Sequence, residues 1–310
     1  MANEYMKDDT EALYSGANDV VVVEQEGGIL QSSPLHVFVG KLENMRTLFQ
    51  SRKDKTAEIH VNNIKVHGII IELGDSGAAY VGKSEPSCRL THSHLENMKL
   101  KNGLNKARLI IEDLDVSIPF SIYLFNQDSK LILTDIDGTI TKSDVRGFIG
   151  GYLELDVHHD GVIEFLDKVR KNGYNIIYLT ARPIAFDLET RQYLFRTLKH
   201  SDAVYRMPEQ PLFLTPAVLT QVAMDNAAEH TEAKTATLRS LMELFKLRHN
   251  VVLGAYGNKN SDTEAYLNIG ISRDRIFIIN KQSKMTNVGT GQDTSYKQHA
   301  NSIDKMYPAV

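Results

Sequence analysis

The stretch LILTDIDGTITKSD, residues 131–144, sets two carboxylates, Asp135 and Asp137, one residue apart behind an apolar run. Two like charges on one strand tip repel, so the pair needs a compensating partner. In an aspartate-based phosphotransferase one carboxylate attacks phosphorus while a second handles the proton of the leaving group. A single intervening residue lets both reach the same phosphate, and Gly138 lets the chain turn sharply behind them. A divalent cation relieves the repulsion: Mg²⁺ takes hard oxygen ligands, keeps several waters, and is held by one or two carboxylates plus substrate phosphate oxygens. The bland alternative is an Asp-Gly turn after a strand, with Asp135 as a solvated strand end. Further motifs in a consistent order weigh against it.

Those motifs lie downstream. Thr180 and Arg182 follow the apolar run NIIYL, and Thr139 follows Gly138; these residues can donate to phosphoryl oxygens. Lys234, in TEAKTATL, offers a point charge for the phosphoryl group and the nucleophile. Asn258 and Asp262 share the loop GNKNSD, close enough to enter one Mg²⁺ shell. Each also has a plain reading: Thr180 as a local turn, Lys234 as a solvated helix residue, Asp262 as the N-cap of TEAYLNIG. His158 and His159 precede a helix that Asp160 is expected to cap, and His92 and His94 read as surface histidines.

The elements that must carry these residues change character along the chain. Residues 19 to 125 are short β-branched runs punctuated by Gly-Gly, Asn-Asn and Gly-Asp-Ser-Gly, which predicts a β-sandwich. A polar stretch near 84–106 interrupts them as a loop with a helical turn. From residue 130, apolar strands alternate with helical patterns, predicting a parallel sheet with helices on both faces. Functional groups in such a sheet collect beyond the carboxyl ends of its strands, where Asp135, Thr180 and Asn258 fall. Residues 1–18 lay out as an amphipathic helix, with Met1, Tyr5, Met6 and Leu13 opposite an acidic face. The polar stretch 284–310 is expected to be a tail with one short helix.

Composition narrows the class. At 42% hydrophobic and 24% charged residues the chain reads as a soluble globular protein. A net charge of -4 gives no overall pull towards nucleic acid or anionic membrane. The single cysteine, Cys88, excludes an internal disulfide framework and fits a reducing compartment. No run approaches the roughly 18 apolar residues of a spanning helix, and the N-terminus lacks the basic-then-apolar form of a secretion signal.

The order of motifs resembles the haloacid-dehalogenase (HAD) superfamily of aspartyl phosphatases. LILTDIDGTITKSD, HDGVIEFLDKVRKNGYNIIYLTARPIAFDLETRQYL, PLFLTPAVL and YGNKNSDTEAYLNIGISRDRIFIIN further resemble the catalytic C-Lip region of lipins, and DVVVVEQEGGILQSSPLHVFVGKL with GDSGAAYV resembles N-Lip. The resemblance implies a Mg²⁺-dependent phosphatidic acid phosphatase. Asp135 would be the nucleophile and Asp137 the general acid and base. Thr180 and Lys234 would bind the phosphoryl group, and Mg²⁺ would be held by Asp135, the Asp137 carbonyl, Asn258 and Asp262. It also implies an α/β plus β fold: an immunoglobulin-like β-sandwich at 19–126 joined to a HAD-like Rossmannoid domain at 127–283. Phosphatidic acid would be met at a membrane by a cytoplasmic, peripherally bound protein, at the endoplasmic reticulum or nuclear envelope.

Three departures qualify the likeness. The two Lip regions nearly abut and tryptophan is absent, so control through a phosphorylated insert is not expected. Arg146 and Gly150 in SDVRGFIGG replace the leucines of a coactivator motif. The N-terminal segment is acidic where the family has a membrane helix. Two other readings stay open: a HAD phosphatase for soluble phosphate esters, and a non-catalytic lipid-binding or co-regulatory protein.

Overall fold

The structure, a computed structural model, describes residues 13–41, 56–74, 78–82, 88–142, 158–196, 198–200, 203–216, 227–246 and 248–310. Residues 1–12 and the segment carrying Arg146 and Gly150 lie outside the described residues.

The first half is built of strands β1 (Leu13–Ala17), β2 (Val20–Glu24), β3 (Leu30–Ser32), β4 (Val37–Lys41), β5 (Thr56–Val61), β6 (Ile64–Lys65), β7 (Ile71–Leu73), β8 (Ala79–Val81), β9 (Gly103–Ile111) and β10 (Val116–Asn126). Eight of them form one sheet in the order β3-β2-β10-β9-β5-β7-β8, with β6 paired to β5, while β1 pairs with β4. A bridge between Phe38 and Ala78 joins β4 to the far end of that sheet. Alternate residues of β5 and β9, including Ile59, Val61, Leu109 and Ile111, point into one apolar cluster with Val20 and Val22. That is the period of two expected of strands with one face in a core. In the polar stretch near 84–106 the described residues hold one helix, His92–Asn97, capped by the Thr91 hydroxyl. Leu13–Ala17 is a strand, not the end of a helix running to residue 18; its backbone pairs with β4 and its neighbour Asn18 meets the second sheet.

The second sheet has β11 (Leu131–Asp135), β12 (Asn175–Pro183), β15 (Leu212–Thr215), β16 (Val252–Gly257), β17 (Ile276–Ile279), β18 (Met285–Asn287) and β19 (Asp293–Thr294) in the order β15-β12-β11-β16-β17-β18-β19; β13 (Leu198–His200) and β14 (Ala203–Tyr205) form a separate hairpin. The pairs among β15, β12, β11, β16 and β17 are parallel. All five residues of β11 are buried, because both faces are covered, and such a strand reads as a continuous apolar run. Leu131 and Leu133 face a cluster with Leu238 and Met242 of helix Ala227–Leu244. Ile132 and Ile136 face the opposite cluster, with Phe165 and Leu166 of helix Val162–Lys171. The α/β layering read from the sequence is therefore present, with a helix layer on each side.

Residues 284–310 are no loose tail. Met285 is fully buried and β18 pairs antiparallel with β17. Tyr296, which opens helix Tyr296–Asn301, and Tyr307, just after helix Ile303–Met306, then pack their rings on Phe165 of helix Val162–Lys171. Tyr296 and Tyr307 are too large and apolar to leave in water, which is why so polar a stretch still docks.

The two halves share core and edge. Val21, Val23, Tyr123 and Phe125 belong to the same cluster as helix Ala227–Leu244. The open edge of β15 is closed by Asn18 and Asp19. The Asn18 side chain donates to Leu214 O at 2.9 Å and accepts from Leu214 N at 2.7 Å; Asp19 Oδ2 accepts from Leu212 N at 2.9 Å. Unpaired edge groups thus find partners in side chains that mimic a strand. Asp19 also receives Arg191 and Ser121 N, and Arg191 Nε donates to Asp187 at 2.6 Å, so a buried ion cluster ties the halves.

Candidate active site

Register puts the candidate residues at one end of three adjacent strands. Asp135 lies level with Leu179, so Thr180 stands one residue beyond it on β12; Thr134 pairs with Tyr256, so Asn258 stands just past the end of β16. Lys234 reaches in from helix Ala227–Leu244, and Asp262 from the first turn of helix Asn260–Asn268.

These side chains form one network. Lys234 Nζ donates to Asp135 Oδ1 at 2.7 Å and to Asp262 Oδ1 at 2.5 Å. Thr139 Oγ1 donates to the other oxygen of Asp135 at 3.2 Å. Asp262 Oδ2 accepts from the N–H groups of Asn258 and Lys259 at 2.9 and 3.0 Å. Asp262 is therefore the third helical residue reaching back, not the N-cap, and its two oxygens serve two purposes: one caps the helix, the other accepts from Lys234. Thr180 Oγ1 donates to Asp137 Oδ2 at 3.1 Å. Arg182, expected to meet phosphate, is paired with Asp137: Nε and Nη2 donate to it at 2.9 and 2.6 Å, Nη1 reaches Thr190 Oγ1, and the guanidinium lies over the Tyr193 ring. A planar fork meeting a carboxylate across both oxygens is the strongest form of such a pair.

Burial sets the charges. Asp135 is 6% exposed, and burial pushes its carboxyl up to about 7 against the pull of Lys234, with Asp262 and Asp137 adding to the rise. For Lys234 the burial penalty is outweighed by Asp135 and Asp262, so the ammonium is held well above its ordinary value. Burial of Asp262 is likewise outweighed by Lys234 and by the two backbone donors, which hold its carboxyl low. Asp137, at 17% side-chain exposure, is the carboxylate of the pair that meets solvent. It is the better placed to exchange a proton with water.

The oxygen donors fit a hard divalent cation. Among the described residues no three His, Cys, Asp or Glu side chains converge, so a cation here needs neutral oxygens beside Asp135 and Asp262. Asn258 supplies one. Its Oδ1 is buried without a hydrogen-bond partner, which costs free energy unless something else coordinates it. Its Nδ2 lies where a Cβ on Gly138 would come within 1.9 Å, so the glycine lets Asn258 settle against the Asp137–Gly138 turn. Two carboxylate oxygens and a carboxamide oxygen suit Mg²⁺ better than a soft metal.

Residues 86–308 match the family described as LNS2 (Lipin/Ned1/Smp2), and residues 2–99 match the lipin N-terminal conserved region. The chain belongs to the lipin family. Among its relatives are phosphatidate phosphatase LPIN1 of Homo sapiens, 31% identical over 72% of this chain, and phosphatidate phosphatase PAH1 of Arabidopsis thaliana, 30% identical over 70%. Phosphatidic acid phosphohydrolase 1 of Saccharomyces cerevisiae is 28% identical over 76%. The aligned segments cover 25%, 24% and 29% of those proteins, so this lipin-family chain spans about a quarter of the length of the curated relatives it matches.

Some residues at the site escaped the sequence reading. His159 is fully buried: Nε2 donates to Gly138 O at 3.2 Å, which leaves Nδ1 to accept from Ser283 Oγ at 2.8 Å. Burial holds its ring below the ordinary histidine value, so it is neutral and this tautomer follows. Asp160, expected to cap the next helix, pairs with Lys297 instead, and Gly161 takes the cap position with φ 79°. His92 is half-buried and Nδ1 accepts from Leu30 N. Tyr296 donates to Thr139 O at 3.1 Å. Among the described residues no helix is long and apolar enough to cross a membrane.

Proposed function

We propose that the chain is a Mg²⁺-dependent phosphatidate phosphatase that releases diacylglycerol and phosphate through a phosphorylated aspartate. The observation that carries this reading is the placement of Lys234 Nζ between Asp135 and Asp262, beside a buried Asn258 oxygen that lacks a partner. The names of the relatives supply the substrate.

Asp135 attacks phosphorus, and the bond from phosphorus to the glycerol oxygen breaks. The departing oxygen takes a proton from Asp137, whose carboxyl is held in place by Arg182 and Thr180. Diacylglycerol leaves. Asp137 then takes a proton from water, whose oxygen attacks phosphorus and frees Asp135 and inorganic phosphate. Lys234 and Thr180 hold the phosphoryl oxygens, and Thr139 holds the Asp135 carboxylate. Bound Mg²⁺ would supply charge neutralisation at the phosphoryl group; Asp135, Asp262, Asn258 and the Asp137 carbonyl would hold it. Arg182 acts on Asp137, not on phosphate.

We further assign the strands of residues 19–126 to an immunoglobulin-like β-sandwich. A single apolar cluster that draws on β2, β5, β9 and β10 and also on β4, β7 and β8 supports this. Residues 127 onward form a HAD-like catalytic unit. The protein acts peripherally at a cytoplasmic membrane surface such as the endoplasmic reticulum or nuclear envelope; of the expected contact, residues 1–17, the part ahead of β1 is the part left to meet it.

Phosphate release from vesicles carrying phosphatidic acid, with and without Mg²⁺, tests the reading against a water-soluble aryl phosphate. The expected result is Mg²⁺-dependent turnover that is faster on vesicles. Much faster turnover of the soluble ester would assign the site to soluble substrates, and tight vesicle binding without phosphate release would remove the catalytic role.

A further inference from the structure

Two consecutive carbonyls of the turn behind Asp135 are gripped from outside the catalytic motifs. Gly138 O accepts from His159 Nε2 at 3.2 Å, and Thr139 O accepts from the Tyr296 hydroxyl at 3.1 Å. The two rings lie 6.4 Å apart, centroid to centroid. His159 comes from the segment leading into helix Val162–Lys171, and Tyr296 opens the helix Tyr296–Asn301 near the end of the chain. The Tyr296 ring is fixed by Phe165 at 5.5 Å and Tyr256 at 5.8 Å, so its hydroxyl has little freedom to move. Lys297, the next residue, donates to Asp160 and lies against Gly161, whose lack of a side chain permits the approach.

The same Thr139 whose carbonyl is held by Tyr296 directs its hydroxyl to Asp135 Oδ2, while Lys234 holds Oδ1. The plane of the Asp135 carboxylate is thus set from both oxygens, and one of the two settings traces back to the C-terminal helix. We propose that Tyr296, supported by His159, is a positioning residue for the nucleophile: its hydroxyl fixes the Thr139 peptide so that the Thr139 side chain orients Asp135 for attack. The first turn of helix Tyr296–Asn301 is then tied to the nucleophile through this contact. The inference rests on the phosphatase reading, since it assigns Asp135 the attack.

Misplacing a reacting group by a fraction of an ångström costs rate without necessarily costing binding. The test compares the full chain, Tyr296→Phe and Tyr307→Phe. Both variants lose one buried hydroxyl of the same aromatic cluster, but Tyr307 bonds Tyr256 and not the turn. With an aryl phosphate in Mg²⁺, Tyr296→Phe is expected to lower kcat about tenfold with KM within about twofold, by analogy with other positioning contacts. Tyr307→Phe keeps the kcat of the unaltered chain whatever it does to stability. A second readout needs no turnover: the rise in Tm produced by Mg²⁺ with beryllofluoride, a mimic of phosphorylated aspartate, shrinks in Tyr296→Phe and persists in Tyr307→Phe. Unchanged kcat and an unchanged shift in Tyr296→Phe would overturn the proposal, as would an equal loss of kcat in Tyr307→Phe. If the unaltered chain hydrolyses neither ester, the phosphatase reading fails. A beryllofluoride shift that still depends on the Tyr296 hydroxyl would then uphold the positioning alone.

Discussion

Arg182 and Asp137 meet as a fork on a carboxylate, with Nη2 to Oδ1 at 2.6 Å and Nε to Oδ2 at 2.9 Å. Thr190 and the Tyr193 ring hold the guanidinium from behind. The acid and base of the proposed reaction is therefore aimed by an arginine on the neighbouring strand. An arginine fork cannot be replaced by the point charge of lysine. Arg182→Lys should cost about 10²- to 10³-fold in kcat on phosphatidic acid, whose alkoxide needs a proton as it leaves. On an aryl phosphate, whose leaving group departs unprotonated, the loss should be much smaller. Steady-state rates on both esters check this; equal losses would place Arg182 on the phosphate after all.

Asn258 gives a prediction about metal. Its unpartnered Oδ1 is the neutral oxygen of the proposed cation shell. Asn258→Ala should raise the Mg²⁺ concentration for half-maximal activity by about 10- to 100-fold, in the range seen when a metal shell is disturbed. Isothermal titration with Mg²⁺ on the full chain gives the same quantity without turnover. An unchanged Mg²⁺ requirement would remove Asn258 from the shell.

The buried cluster of Asp19, Arg191 and Asp187 predicts a stability effect between the halves. Asp19→Ala leaves Arg191 with one carboxylate and leaves Ser121 N and Leu212 N without their acceptor. Removing one member of a buried ionic group costs about 3–5 kcal/mol. Urea unfolding of Asp19→Ala, Arg191→Met and the double variant checks it. The double variant should lose much less than the sum of the two single losses; simple additivity would contradict the cluster.

His299 predicts an acid limb. Its ring is buried among Phe165, Tyr256 and Phe277, Nδ1 faces the Tyr256 hydroxyl, and burial lowers its pKa from 6.5 to about 4. The unfolded chain binds this proton first as pH falls. The contribution is therefore complete above 6.5 and is lost between 6.5 and about 4, by up to about 3 kcal/mol. His299→Gln should unfold with a shallower dependence on pH across that window than the unaltered chain. Parallel curves would show that His299 does not report its burial.

Much of this arrangement was legible before any coordinates, and the reasons differ by residue. Asp135 ends β11, Asn258 follows β16, and Thr180 stands on β12 just past its last residue paired with β11; such places are visible as apolar runs that stop at a polar residue. The parallel pairing of β2 with β10 was not, because it joins segments about a hundred residues apart with no hairpin to signal it. Asn18 read as nothing at all: an asparagine pairing with a sheet edge leaves no periodicity behind. Tyr296 and His159 were missed for a related reason. Each acts through a main-chain carbonyl, and a carbonyl has no residue type to recognise. Arg182 was assigned to phosphate because a cation near a strand end suits an anion, and its pairing with Asp137 is visible only in the fold.

The central claim is that the Asp135 side chain is itself phosphorylated during turnover. Acid-quenching the chain during hydrolysis of labelled phosphatidic acid in Mg²⁺, followed by peptide mass spectrometry, addresses it directly. The account predicts phosphate on the peptide containing Asp135, at that residue, and no label or phosphate release from Asp135→Asn. Label on another residue, or continued phosphate release by Asp135→Asn, would contradict it.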